Sequence, residues 1–242
     1  MKPVHHALVS ARLFGGAWTD YEPLHTAFDL SKMALGDMRH RAALHSVDHG
    51  GKVMALRFGQ QAWPGTATLD ALVAQHMDDD HGFPVVLDDW LRACKMPPTL
   101  AQAPGHGPRA AFLHAPEEAC AAKWGGAPED YAAVCAYFAL PETCSDHPLA
   151  PFVSRNTFGV FFAESIFGPA LSIVHRDRPR LVCVRDIGEE LTLARATRLP
   201  TLGEVFSGMG QRPWMTGSKV EACRERRRAA SGKADLFAFD PG

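Results

Sequence analysis

Phe14-Gly15-Gly16-Ala17-Trp18-Thr19-Asp20-Tyr21 returns 110 residues later as Trp124-Gly125-Gly126-Ala127-Pro128-Glu129-Asp130-Tyr131, and this repetition decides how the chain is organised. The same offset sets Phe28-Asp29-Leu30 against Phe138-Ala139-Leu140. Further along, Arg57-Phe58-Gly59 answers Ile166-Phe167-Gly168. Gly82-Phe83-Pro84 with Asp88-Asp89-Trp90 answers Arg198-Leu199-Pro200 with Glu204-Val205-Phe206. Matched blocks in one order are the mark of a repeated structural unit. The division expected is a first copy over 1–96, a Pro/Gly linker over 97–111, a second copy over 112–215 and a basic tail over 216–242.

Each copy reads as mainly α. Residues 4–13 form a short amphipathic helix stopped by Gly15-Gly16, where a residue with positive φ belongs. Thr19-x-x-Glu22 has the form of a capping box, with Pro23 in the first turn of a helix reaching about Ser31. A third helix is expected over Lys32 to His45, with Gly50-Gly51 interrupting before Lys52–Phe58. Residues 60–68 and 170–185 read as loops or short strands, Leu181-Val182-Cys183-Val184 being the best strand. Pro84 and Pro200 open a last helix in each copy. The two copies are expected to pack as a pseudo-twofold, with Phe28, Phe58 and Trp90 matching Phe138, Phe167 and Phe206 in the core.

The composition is that of a globular protein, with 46% hydrophobic and 21% charged residues in 242. A net charge of −2 argues against a protein built wholesale to coat nucleic acid or an anionic membrane. Six cysteines without a C-x-x-C pair fit reduced, packed thiols, and with no signal-like start the expected location is the cytoplasm. The apolar stretch Phe158–Val174 is short and carries Glu164 and Pro169, so it reads as a buried helix rather than a membrane span. Arg224, Arg226, Arg227 and Arg228 make the tail basic. That cluster reads as a solvated face before it reads as a nucleic-acid contact.

The copies keep a frame and diverge in chemistry. Glycines, aromatics and the helix-starting proline recur, whereas His25 faces Cys135, Asp29 faces Ala139, and His76 faces Leu191 or Thr192. Asp37, Arg39, His40 and Arg41 fall opposite His147, Leu149, Ala150 and Pro151. Of the 12 histidines, His5, His6, His25, His40, His45, His49, His76 and His81 all precede residue 82. Any site is therefore expected in the first copy.

Both copies resemble a small bacterial and phage family known only as a domain of unknown function. The first copy carries the resemblance at Gly15-Gly16, Asp20-Tyr21, Leu24-His25, Phe28-Asp29, Ser31-Lys32 and Asp37-Met38-Arg39-His40-Arg41-Ala42. It continues through His76, Asp80, Gly82, Pro84 and Asp89-Trp90. The second copy carries it at Gly125 to Tyr131, Thr157 to Phe161, Glu164, Phe167-Gly168, Val184-Arg185 and Arg212-Pro213-Trp214-Met215. The first copy departs where the family has a His-His pair and this chain has His45-Ser46, and it lacks the Pro-Trp-Met close. The resemblance implies a fold and a phage or mobile-element setting, and it implies no activity.

His25 and Asp29 lie four apart and share a helix face with Tyr21; Asp37, His40 and Arg41 form a second stripe, and His76 with Asp79 or Asp80 a third. Imidazole and carboxylate converging from several helices is how bundles build transition-metal sites. The ligands expected on this ground are His25, Asp29, His40 and His76, with a divalent transition metal as cofactor. Arg39, Arg41 and Asp37 would bind a ligand beside them, so that a metal-activated water could hydrolyse a phosphate-containing substrate. No catalytic nucleophile can be named, since no G-x-S-x-G frames Ser10 or Ser31. The plain alternatives are a helix-surface His25–Asp29 hydrogen bond, an exposed Asp37–Arg41 ion pair, and a solvated helix end at Asp78-Asp79-Asp80. The rival function is a non-enzymatic binder of a host protein or nucleoprotein complex, for which a chemistry-poor second copy adds surface.

Overall fold

Helix α1 (Pro3–Phe14) starts on a proline, whose missing N–H costs nothing in a first turn, and ends where Gly15 and Gly16 take φ of 87° and 78°. The chain reverses there into α2 (Trp18–Asp29). This is a computed structural model that describes residues 2–101, 115–193 and 198–210; the expected basic tail, the Pro-Trp-Met close and most of the expected linker lie outside the described residues. The cap of α2 differs from the expected Thr19/Glu22 box. Ala17 N donates to Asp20 Oδ2 at 2.8 Å, so the helix begins at Trp18 and Pro23 lies inside it.

The helix expected over 32–45 is broken. It becomes 3-10 turns at Leu30–Met33 and Met38–His40 followed by α3 (Arg41–Leu44). Asp37 causes the break: it is extended, and its carboxylate accepts from Arg39 N at 3.0 Å, opening a new turn. Helix α4 (His49–Phe58) contains Gly50 and Gly51 rather than being interrupted by them. Helix α5 (Leu69–His81) is capped by Thr68 and stopped by Gly82 in the left-handed region. Short helices α6 (Leu87–Arg92) and α7 (Pro98–Ala101) follow.

The second copy repeats the course with α8 (Pro116–Trp124), a 3-10 turn at Pro128–Tyr131, α9 (Ala132–Cys144), α10 (Ala150–Ser154) and α11 (Thr157–Phe167). Its frame matches the first in detail. Gly125 and Gly126 take φ of 87° and 81°, and Ala127 N donates to Asp130 Oδ2 at 2.9 Å. Tyr131 OH donates to Gly125 O at 2.7 Å, as Tyr21 OH does to Gly15 O at 2.7 Å.

Over the Gly-Gly turn of the first copy lies a loop, with Pro64 O accepting from Tyr21 OH at 3.2 Å. The second copy puts an antiparallel hairpin there, β1 (Ala170–His175) and β2 (Arg178–Cys183), in which Ala170 faces Cys183 and His175 faces Arg178. Arg176 and Asp177 form its turn with positive φ. Val184, expected to end the strand, starts α12 (Val184–Leu193), and α13 (Leu202–Val205) completes the copy.

The copies pack reciprocally into one core, as a mainly α pseudo-twofold. Helices α4 and α11 occupy corresponding places and touch each other, with Arg57 NH1 donating to Ser165 Oγ at 3.2 Å. Lys52 on α4 reaches Thr143 at 3.5 Å, while Thr157 and Phe161 on α11 lie beside Met33 and Ala34. Phe28, Phe138, Phe58, Trp90 and Phe206 are buried, and Phe167 is half-buried against the same core. Among the described residues no helix is long and apolar enough to cross a membrane.

Candidate metal centre

Three helices and two turns of the first copy aim their polar side chains at one point. Helix α2 supplies His25 and Asp29 one turn apart, α5 supplies His76 and Asp80 one turn apart, and α1 supplies His6 and Ser10. The break before α3 brings His40 in, and the residue after α3 brings in His45. An unbroken helix over 32–45 would not have delivered both.

Asp29, His45, His76 and Asp80 each offer one donor atom, and these atoms lie within 4.8 Å of one another. His45 Nε2 is 3.4 Å from Asp29 Oδ1 and 3.2 Å from Asp80 Oδ2; His76 Nε2 is 3.8 Å from Asp80 Oδ2. Ligands about 2.0–2.2 Å from a tetrahedral ion stand roughly 3.3–3.6 Å apart, so this spacing is close to that of a metal-binding set. The set is buried: His45 and His76 are 0% exposed and the Asp80 side chain 1%.

The surrounding groups hold the set in place. Lys32 Nζ lies 2.6 Å from Asp29 Oδ2, and Arg41 NH2 lies 3.0 Å from Asp80 Oδ1. His6 bridges Asp79 (2.9 Å) and Asp80 (3.4 Å). His25 Nδ1 is 2.9 Å from His76 Nδ1, and its Nε2 is 2.8 Å from Ser10 Oγ. Ser10 Oγ donates to Gln75 Oε1 at 2.6 Å, and Gln75 Nε2 donates to Asp79 Oδ2.

Burial would raise the Asp80 and Asp29 carboxyls. His45 beside both, His6 beside Asp80 and Lys32 beside Asp29 outweigh it and hold each below the usual range. Burial pushes His76 well below its ordinary value, with the neighbouring His45, His6 and His25 adding to the effect. Burial, aided by His6, takes His25 to about 3, and burial takes His40 to about 4. For His6 burial is overridden by Asp79 and Asp80, and its pKa is raised. Ionised carboxylates beside an uncharged His76 suit a metal ion, which binds deprotonated donors.

Of the four ligands expected from sequence, Asp29 and His76 lie in the nest. His25 stands behind His76, and His40 Nε2 sits 3.8 Å from Asp29 Oδ1 at the rim. His45 and Asp80 complete the nest and were not chosen from sequence. The family's His-His pair at 45–46 was the signal for His45, and the His76/Asp80 spacing was the signal for Asp80.

The residues expected to bind ligand are engaged otherwise. Asp37 pairs with Arg39 at 2.7 Å, and Arg39 NH1 also reaches Phe206 O at 3.4 Å in the second copy. Arg41 turns inward to Asp80. No Asp37–Arg41 helix pair forms, because Asp37 lies outside the helix that starts at Arg41. Asp80 likewise leaves the solvated helix end expected of Asp78-Asp79-Asp80 and points into the core.

In the second copy the corresponding places carry Cys120 for Ser10, Cys135 for His25, Ala139 for Asp29, Glu142 for Lys32 and Arg155 for His45. Cys120 and Cys135 stand beside each other, as Ser10 and His25 do. Arg155 NH1 donates to Glu142 Oε2 at 2.6 Å. One ion pair thus stands where the first copy gathers imidazoles and carboxylates. No curated protein and no solved structure matches the chain. The family model described as Domain of unknown function (DUF6915) matches residues 1–100 and again 110–215, so the chain belongs to that family and carries its domain twice.

Proposed function

We propose that this chain is a metal-binding protein whose first copy holds one divalent transition metal ion between Asp29, His45, His76 and Asp80. The observation that supports it most is the approach of four donor atoms from separate elements to within 4.8 Å of one another in a buried nest. Two nitrogens and two oxygens suit Zn²⁺, with Mn²⁺ and Fe²⁺ as the alternatives. Four buried protein donors favour a closed centre that braces α2, α5 and the turn after α3. Metal-assisted hydrolysis of a phosphate-containing substrate would use the same centre, but Arg39 and Arg41, its expected anion clamp, are each engaged by a carboxylate of the chain.

Protein purified without a histidine tag and stripped with chelator tests the reading. Titration with Zn²⁺ is expected to reach one ion per chain. At a hundredfold excess over Kd it should stabilise the fold by about 2.7 kcal/mol, or roughly 5–10 °C in Tm. Absence of stoichiometric uptake, with no metal-dependent shift, sinks it.

A second reading, binding to a host protein or nucleoprotein complex, is favoured by the hairpin. It has no strand counterpart in the first copy, and it exposes Arg178 and Arg180 beside Arg176 in the turn. If it docks on an acidic partner, replacing these three arginines with glutamine should abolish capture of that partner and leave metal uptake intact.

A further inference from the structure

We propose that His25 is a positioning residue, which through Ser10 and Gln75 fixes the tautomer of His76 and presents its Nε2 lone pair to the metal centre. The inference rests on the metal reading above and goes beyond the four ligands.

The donor order follows link by link. The Asp79 carboxylate only accepts, and Gln75 Nε2 donates to it. The amide is thereby oriented with Oε1 toward Ser10, so the serine hydroxyl must donate at 2.6 Å. With its single proton committed, Ser10 Oγ accepts from His25 Nε2–H at 2.8 Å. With its proton placed on Nε2 by Ser10, His25 offers Nδ1 as an acceptor, and the 2.9 Å contact puts a proton on His76 Nδ1. The Nε2 of His76 is left with a lone pair on the side of the nest, 3.8 Å from Asp80 Oδ2. The chain runs from half-buried Asp79 through fully buried Ser10 and His25 to the nest. Such outer partners set ring orientation and ligand basicity in metal sites. The second copy has Cys120 and Cys135 in place of Ser10 and His25 and lacks Asp29 and His45, so the chain and the nest are absent together.

The test is titration of the chelator-stripped protein with Co²⁺ and Zn²⁺, following the visible Co²⁺ band. His25→Leu is expected to weaken binding about 10–100-fold and shift the band. His25→Asn, whose carbonyl can stand in for the bare Nδ1, is expected to recover most of the affinity. Should His25→Leu fail to fold, Ser10→Ala decides, with an expected loss of about fivefold, the worth of one hydrogen bond. If the wild type loads metal while the folded variants keep its affinity and band, the positioning role is overturned and the centre stands. If the wild type takes up neither ion, both readings fall.

Discussion

His45 and Arg155 hold the same backbone place in the two copies. Each follows a short helix, with φ, ψ of −85°, 68° for His45 and −91°, 69° for Arg155. His45 faces Asp29 and Asp80, whereas Arg155 is buried against Glu142 at 2.6 Å. The duplicated fold has kept the position and exchanged a candidate metal-ligating imidazole for an ion pair.

That pair should be costly to break from one side. Glu142→Gln removes the carboxylate to which Arg155 NH1, on a side chain that is 6% exposed, donates at 2.6 Å. The expected loss is about 2 kcal/mol by urea unfolding, because a buried charge-assisted hydrogen bond is lost. The double variant R155L/E142L should fall within about 1 kcal/mol of wild type. A loss below about 1 kcal/mol for E142Q would instead mark the pair as a screened surface bridge.

Gly50 and Gly159 provide an internal check on the duplication. A Cβ on Gly50 would lie 1.8 Å from Leu44 O, and one on Gly159 would lie 1.7 Å from Ser154 O. Both contacts are with backbone, so the helix must shift to relieve them. Gly50→Ala and Gly159→Ala are each expected to cost roughly 3 kcal/mol. Should one be tolerated and the other not, the two turns do not do the same work.

Acid should weaken the metal-free protein well above the usual carboxylate range. Burial, aided by Lys52, takes His49 to about 4. A folded pKa below the unfolded value of about 6.5 means that the stability is fully present above pH 6.5 and is lost as the pH falls toward 4. At pH 5 the loss from this one group is about 2 kcal/mol. His25, His40 and His81 act with the same sign, while His6, with its raised pKa, opposes them. His49→Phe, which installs the residue found at Phe158 in the second copy, should flatten the stability profile between pH 7 and 5. An unchanged slope in urea melts across that range would refute this assignment.

The repeat was legible because turns and caps depend on local residue types. Gly15-Gly16 and Asp20-Tyr21 make the same bonds wherever they recur. The interruption at Asp37 was less legible, since a cap of this kind competes with an otherwise continuous helical pattern. The site was read as helix-face stripes, and Asp29 and His76, from two of those stripes, lie in one group of donor atoms. Face periodicity carries no information about a residue beyond a helix end, which is where His45 sits. It also could not tell that Arg41 would turn inward and draw Asp80 with it, or that His25 would stop one ring short of the nest.

The central claim is tested most directly by metal content and calorimetric Zn²⁺ titration of untagged wild type beside His45→Ala and Asp80→Asn. One ion per wild-type chain, with at least a hundredfold weaker uptake in both variants while the Arg155–Glu142 half stays folded, is the expected result. Zinc bound equally by all three proteins, or by none, would contradict a centre built on Asp29, His45, His76 and Asp80.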